Sequence, residues 1–148
     1  MTPPKLDDIV DVLIRQHGDL RRLCADIVAA RGGDRRRLFG RLVSLVHSHE
    51  LGERMVVHPA TRDRTNGGEK VASVSALEEA RIDAAIAELD DLGVDHPTFN
   101  AKFAVFHQAL VDHAVHEERD EFPRLRQHLP TQRLHLMANE IRDVQIMC

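Results

Sequence analysis

The sequence predicts an all-α protein, an up-down-up-down four-helix bundle with a short fifth C-terminal helical segment. Long segments carry apolar residues at intervals of three and four, which is the spacing of a buried helical stripe. The connections between these segments are short, which makes consecutive helices antiparallel neighbours. A chain of 148 residues fits one domain, so we expect a single domain over 1–148, with the bundle at about 5–124.

Apolar stripes predict helices 1 and 2. Helix 1 runs from about Leu6 to Ala30, and the glycines at 32 and 33 end it. Asp34 is the expected N-cap of helix 2, which covers about 35–57. Pro59 and the stretch 65–68 then predict a loop. The stripe residues are Leu6, Ile9, Val10, Leu13, Leu20, Cys24 and Ile27 on helix 1, and Leu38, Leu42, Leu45, Val46 and Val56 on helix 2.

Helices 3 and 4 and a final segment complete the predicted bundle. Helix 3 covers about 70–92, with Gly93 as its C-terminal stop. Helix 4 covers about 98–122, and Pro123 is expected to limit its continuation. An amphipathic segment at about 131–147 is the predicted fifth helix, packed on the end of the bundle. Its apolar residues are Leu134, Ile141, Val144 and Ile146.

Charge and composition argue against several classes of function. The formal net charge of −4 at pH 7 argues against nucleic acid as a partner, because phosphate binding needs a basic face. No apolar run approaches the roughly 20 residues of a membrane span, and the polar first eight residues do not resemble a signal peptide. Cys24 and Cys148 form no metal or redox motif. We therefore expect a cytoplasmic protein, either a monomer or a weak dimer.

Five polar residues lie where apolar stripe residues are expected. His17 lies on the stripe of helix 1, His49 and Glu53 on that of helix 2, and His113 and Glu117 on that of helix 4. A buried carboxylate is tolerated only when it is paired or bound to a metal. Several such groups facing one bundle axis therefore indicate a bound cation. The alternative is a set of satisfied core histidines and surface glutamates.

The polar residues also repeat. His49 with Glu53 and His113 with Glu117 are both His-x-x-x-Glu, a spacing that puts each pair on one helix face. A proline stands six residues after each glutamate. Apolar residues follow His17 on helix 1 at the same increments as they follow Glu79 on helix 3. The pattern indicates a duplicated helix pair in which Glu79 takes the position of His17.

At these residues the sequence resembles the hemerythrin-like, His-His-Glu cation-binding family. The pattern of that family is a lone His on helices 1 and 3 and His-x-x-x-Glu on helices 2 and 4. The resemblance covers about 17–123 and implies a metal site with His17, His49, Glu53, His113 and Glu117 as ligands.

Helix 3 departs from the family pattern, since the run 76–83 contains no histidine. The repeat register places Glu79 at the ligand position. A shift of one residue would place Ala80 there and leave an open coordination position. Asp83, one helical turn after Glu79, is a further candidate ligand.

The other seven histidines lie off the inner stripes or in loops, so a surface role is expected for each. His116, one turn from His113, is the best exception and a further candidate ligand. The remaining six are His47, His58, His96, His107, His128 and His135.

Imidazole and carboxylate ligands in a helical bundle suit two first-row metal ions, and bundles of this kind hold iron pairs. We expect two oxo- or hydroxo-bridged iron ions, with Glu53 and Glu117 bridging them and the histidines in terminal positions. The oxygen carriers of the resembling family use five His and two carboxylates. A third carboxylate, from Glu79, stabilises ferric iron and favours turnover over reversible oxygen binding.

The expected function is redox chemistry of this non-haem di-iron protein on hydrogen peroxide, O2 or nitric oxide, similar to a peroxidase or catalase. The alternative is a carrier, sensor or store of oxygen or iron that does no catalysis. A degenerate bundle that binds zinc or nothing is a third possibility. No catalytic residue is assigned beyond the metal ligands, although Glu50, Glu118 and His116 are near in sequence.

Overall fold

The four-helix bundle with a fifth C-terminal helix is confirmed. Residues 6–147, which a computed structural model of the chain describes, contain helices and no strand. The start of the bundle near residue 5 and Cys148 lie outside these residues. The helices are α1 (Ile9–Ala29), α2 (Gly32–Gly52), α3 (His58–Arg64), α4 (Gly68–Leu92), α5 (Phe99–His116), α6 (Phe122–His128) and α7 (Thr131–Ile146). π-Helical segments at Glu53–Val57 and Glu117–Glu121 join α2 to α3 and α5 to α6.

Helix α1 begins at a capping box. The Asp8 side chain accepts a hydrogen bond from the Asp11 backbone N–H at 2.9 Å, and the Asp11 side chain accepts one from the Asp8 N–H at 3.2 Å. Arg126 of α6 donates two further hydrogen bonds to the Asp8 carboxylate. The predicted start at Leu6 is therefore wrong. The helix begins only after Asp8, so Leu6 lies before the cap and is 76% exposed.

Helix α2 begins earlier than predicted, and Asp34 is not its N-cap. Arg31 is the capping residue and Gly32 and Gly33 are already helical. Gly32 has a φ of +56°, a conformation that costs glycine little. Asp34 lies in the first turn, where its exposed carboxylate is 3.9 Å from Arg37.

Asp8→Ala should destabilise the protein by about 1 kcal/mol, because it removes the side-chain acceptor of the cap. Asp34→Ala is the matched control and should change the free energy of unfolding by no more than about 0.5 kcal/mol. Urea unfolding measures both.

The contribution of the Asp8 cap should also depend on pH. Burial alone would raise the pKa of Asp8, but hydrogen bonds from Arg126 and Asp11 lower it below 3.8. The stabilisation should be present above that pH and be lost as the pH falls further. Equal losses in the two variants would contradict the assignment of the cap.

Helical structure continues through both prolines, so the prediction that Pro123 limits helix 4 and that Pro59 lies in a loop is wrong. The His58 N–H donates to the Glu53 carbonyl, and the Phe122 N–H donates to the Glu117 carbonyl. These bonds span five residues and define a widened turn just before each proline. A proline ring clashes with the preceding turn of a regular α-helix, and the widened turn accommodates it.

Two apolar clusters occupy the two ends of the bundle. One contains Leu20, Ile27, Leu42, Ile86, Phe103 and Leu110 among others. The second contains Leu13, Val57, Phe122, Leu125, Met137 and Ile141 among others. Every polar residue that interrupts a stripe falls between these clusters in sequence, as His17 does between Leu13 and Leu20. The fold therefore encloses a polar layer between two dry ones.

Helix α7 packs on α1 and α2. The buried side of α7 consists of Leu134, Met137, Ala138 and Ile141. Leu134 and Ile141 belong to the predicted apolar stripe of this helix. Ile146 is 82% exposed, so its predicted inward position is wrong. Among the helices described, none is both long and apolar enough to cross a membrane.

Candidate metal centre

The polar layer brings together six residues from four bundle helices or their π-helical extensions. Their side chains approach one another in the middle of the bundle, and each is buried. The six are His17, His49, Glu53, Glu79, His113 and Glu117.

The six residues form two overlapping groups that share Glu53 and Glu117. Within each group the ligand atoms lie within 4.8 Å of one another. Glu117 Oε1 lies 3.2 Å from His17 Nε2 and 3.3 Å from His113 Nε2, so it faces both groups. The groups are His17, His49, Glu53 and Glu117, and Glu53, Glu79, His113 and Glu117. Among the described residues a third, smaller group of buried donors is His58, Glu117 and Glu121.

Unsatisfied polar atoms concentrate in this layer. Within residues 6–147, the Nε2 atoms of all three histidines and both carboxyl oxygens of Glu53 and Glu117 are buried without a hydrogen bond of good geometry. Glu79 Oε2 is in the same condition. Leaving one buried polar atom unpaired costs about 1–3 kcal/mol. A bound cation would satisfy these converging donor atoms together, so the arrangement fits a metal site. The residues present are the imidazole and carboxylate donors that first-row metals prefer.

The two shared carboxylates have opposite electrostatic character. Burial raises the pKa of Glu117 well above its ordinary value, and the charge of Glu53 adds to that shift. Burial acts on Glu53 in the same direction, but the charge of His49 and the contacts with Glu117 and His17 outweigh it and lower its pKa. The surroundings therefore favour the protonated form of Glu117 and the ionised form of Glu53.

The Nδ1 atom of each of the three histidines is hydrogen-bonded outside the cluster, which turns Nε2 inward. His17 Nδ1 lies 3.0 Å from Glu118, and His113 Nδ1 lies 3.0 Å from Glu78. His49 Nδ1 lies 2.8 Å from the side-chain oxygen of Gln16. Such outer partners fix the tautomer and the orientation of metal-binding histidines.

Helix α7 supports one of these contacts. The Gln145 amide donates to Gln16 Oε1 at 3.0 Å, and the Gln16 amide donates back at 2.8 Å. The same Gln16 oxygen accepts from His49. The C-terminal helix therefore contributes to the orientation of His49, a role that its amphipathic pattern did not indicate.

His58 also faces the cluster, so its predicted surface position is wrong. It is 5% exposed, with Nε2 2.8 Å from Glu79 Oε1 and Nδ1 2.8 Å from Glu121 Oε2. Burial alone would lower the pKa of His58, but hydrogen bonds to Glu121 and Glu79 raise it to about 11. Pro59 is the feature of the sequence that could have indicated this position. The widened turn before the proline places His58 on the same helix face as Glu53.

The chain matches the family model "Hemerythrin HHE cation binding domain" over residues 8–125. It belongs to this family. A comparison with curated proteins gave no match. The chain is also similar to the crystal structure of a hemerythrin HHE cation binding domain-containing protein from Mycobacterium kansasii, with a TM-score of 0.82 and 21% identity, over 95% of this chain and 88% of the other. That likeness concerns the fold.

Helix α4 carries a glutamate where the hemerythrin pattern has a histidine. Glu79 is 1% exposed, and Ala80 is on the exposed side of the helix. Glu79 Oε1 lies 3.3 Å from His113 Nε2. Burial raises the pKa of Glu79, and the charge of Glu53 adds to the shift. The register that puts Ala80 inward does not occur.

The two less certain candidates lie apart from the cluster. The Asp83 side chain is partly exposed and lies 3.5 Å from Arg54. His116 is partly exposed, with Nδ1 2.6 Å from Glu78, the residue that also contacts His113. The other histidines expected at the surface, apart from His58, are exposed or half-buried: His47, His96, His107, His128 and His135.

A narrow cavity of about 10 Å³ borders the cluster, which is about the space that one water molecule needs. His17, His49 and His113 line it, and so do Val46, Leu110, Ala114 and Glu50. Glu50 is buried, and within the described residues neither of its carboxyl oxygens has a hydrogen bond of good geometry. Burial raises the pKa of Glu50 to about 11. The cavity admits only a very small molecule.

Proposed function

We propose that this hemerythrin-like protein holds two iron ions and reacts with hydrogen peroxide, O2 or nitric oxide, with peroxide turnover as its main activity. The observation that carries the proposal is the pair of ligand groups that share Glu53 and Glu117. A single small cation cannot engage six donors that fall into two groups, whereas two ions can be bridged by the shared carboxylates.

The choice of iron follows from the kinds of donor. Imidazole and carboxylate donors in a helical bundle suit iron, whereas zinc sites of the structural kind use four ligands and often thiolates. Cys24 is the one cysteine among residues 6–147, and it is buried in the apolar cluster of Leu20 and Ile27. The site that we propose therefore contains no thiolate.

The number of carboxylates favours turnover. Three carboxylates, Glu53, Glu79 and Glu117, face the layer, and anionic oxygen donors stabilise ferric iron. Bound iron would supply the one-electron chemistry that peroxide, O2 and nitric oxide require. The residues of the chain hold the ions, exclude bulk water through the two apolar clusters, and restrict access to a small molecule.

Glu50 contributes a polar group to the cavity. Neither of its carboxyl oxygens has a hydrogen bond of good geometry among the described residues, although the Asp83 side chain is close enough to help raise its pKa. The Glu50 carboxyl can therefore hydrogen-bond to a molecule that enters between His17, His49 and His113. A buried carboxyl without a well-formed hydrogen bond is costly, which supports a role in binding or orienting a small polar reactant.

Metal analysis and a peroxide assay test the proposal. Protein isolated from iron-containing medium should hold about two iron ions per chain. Peroxide should be consumed in many equivalents, with one O2 released for every two peroxide molecules. The metal-stripped protein is the control and should be inactive. One iron per chain, or dominant zinc, would contradict the di-iron proposal. A reversible oxygen spectrum without peroxide turnover would favour the carrier.

A further inference from the structure

We propose that His58 is a fourth histidine ligand, which serves the half of the site formed by Glu79 and His113 in place of a histidine on α4. This inference rests on the proposed di-iron function and extends it to a residue outside the family pattern. It is carried by the direction of the imidazole, by its outer partner and by the local geometry of the helix.

The imidazole of His58 points at the carboxylates of the layer. Its Nε2 lies 2.8 Å from Glu79 Oε1 and 3.5 Å from Glu53 Oε2. His113 Nε2 approaches the same Glu79 oxygen at 3.3 Å. Two imidazole nitrogens and two carboxylates therefore converge on one region on the Glu79 side of the layer.

The outer side of the ring is held as in the other three site histidines. Glu121 Oε2 accepts from His58 Nδ1, and the same carboxylate accepts hydrogen bonds from Thr61 Oγ1 at 2.6 Å and from Ser75 Oγ at 2.9 Å. Glu121 is buried. A carboxylate behind an imidazole whose other nitrogen faces a metal is a recurrent arrangement that orients the ring and raises its basicity.

The widened turn explains why His58 reaches the layer. Its N–H donates to the Glu53 carbonyl five residues earlier, so one turn of helix separates Glu53 from His58. In the second half of the chain Phe122 stands in the same relation to Glu117, and its ring stacks on His17 with centroids 5.6 Å apart. One half-site therefore has a phenyl ring where the other has an imidazole.

The resulting assignment gives each ion two histidines. His17 and His49 serve one ion, and His113 and His58 serve the other. The carboxylates of Glu53 and Glu117 are shared, and Glu79 belongs to the second half alone. With His58 as a ligand, both ions have two histidines although α4 supplies none.

Iron binding by His58→Ala tests the assignment. The parent should retain about two ions after anaerobic loading with ferrous iron and desalting. His58→Ala should retain about one, or bind the second at least about 10-fold more weakly. His47→Ala, on the exposed side of α2, is the matched control and should retain two. Two tightly held ions in folded His58→Ala would overturn the inference and leave the di-iron proposal intact, whereas a parent without bound metal would overturn both.

Cobalt-loaded parent protein provides a measurement that does not depend on the variant folding. A histidine bound to cobalt(II) through Nε2 gives a strongly shifted, exchangeable Nδ1–H proton signal. Four such signals are expected if His58 binds, and the protons are retained by Glu121, Glu118, Glu78 and Gln16. Three signals would overturn the assignment.

Discussion

Glu117→Gln is expected to abolish binding of both ions and leave the metal-free protein as stable as the parent. Glu117 belongs to both ligand groups, and an amide is a poor substitute for a bridging carboxylate. Burial raises the pKa of Glu117 well above its ordinary value, which favours a neutral carboxyl at this position in the metal-free parent. An amide of the same shape should therefore cost the metal-free protein little, less than the cost of about 1–3 kcal/mol for one unpaired buried polar group.

The loss should appear in the iron-loaded state. A ligand present at about 100 times its Kd stabilises the folded state by about 2.7 kcal/mol for each site. In a domain of this size that corresponds to a rise in Tm of roughly 5–10 °C, which Glu117→Gln should not show. His17→Ala is the comparison, because His17 belongs to one group alone. The His17→Ala variant should lose about one ion and keep part of the iron-dependent rise in Tm.

Iron content and calorimetry with and without iron measure both effects. If Glu117→Gln retained two ions, or if its iron-dependent rise in Tm equalled that of the parent, Glu117 would not be a shared ligand. A large loss of Tm in the metal-free variant would instead contradict the neutral state assigned to this carboxyl.

The fold was predictable because apolar spacing carries most of the information about a helical bundle. Polar residues on otherwise apolar stripes were informative for the same reason: His17, His49 and His113 had to be buried if the stripes were. Glu79 followed from the repeat, since apolar residues flank it as they flank His17. The structure places all four in one layer, although their binding of metal stays a prediction.

His58 was missed because a period of 3.6 residues does not describe the helix on which it lies. Five residues after Glu53, a regular α-helix would turn His58 away from the axis, whereas the widened turn returns it. Residue preference places Pro59 in a loop, since proline commonly ends helices. A proline inside a helix that continues is the signal that local geometry departs from the regular period.

The errors at the helix ends have a different cause. Leu6 and Ile146 continue the apolar spacing beyond the point at which a partner surface exists, so both are exposed. Asp34 is a good capping residue by type, but Arg31 takes the cap because the glycines before Asp34 are helical. Periodicity and residue preference do not show where packing ends.

Glu79→Ala is expected to lower iron content to about one ion per chain. Glu79 belongs to the second ligand group alone, and Glu79 Oε2 is buried without a hydrogen bond of good geometry within residues 6–147. Removing it takes an anionic donor from that half of the site. Asp83→Ala, one turn away on the same helix and partly exposed, is the matched control and should keep both ions.

Glu79→His tests how the Glu79 carboxylate affects the reactivity of the bound iron, separately from whether Glu79 is an iron ligand. The variant restores the histidine of the family pattern on this helix, so it should keep its iron. With one carboxylate fewer, ferric iron is less favoured, and the variant should take up O2 more reversibly and turn over less peroxide than the parent. Ala80→His places the new imidazole on the exposed side of α4 and should change neither iron content nor turnover. If Glu79→Ala holds two ions as tightly as the parent, Glu79 is not a ligand, and the repeat register misplaced the donor of this helix.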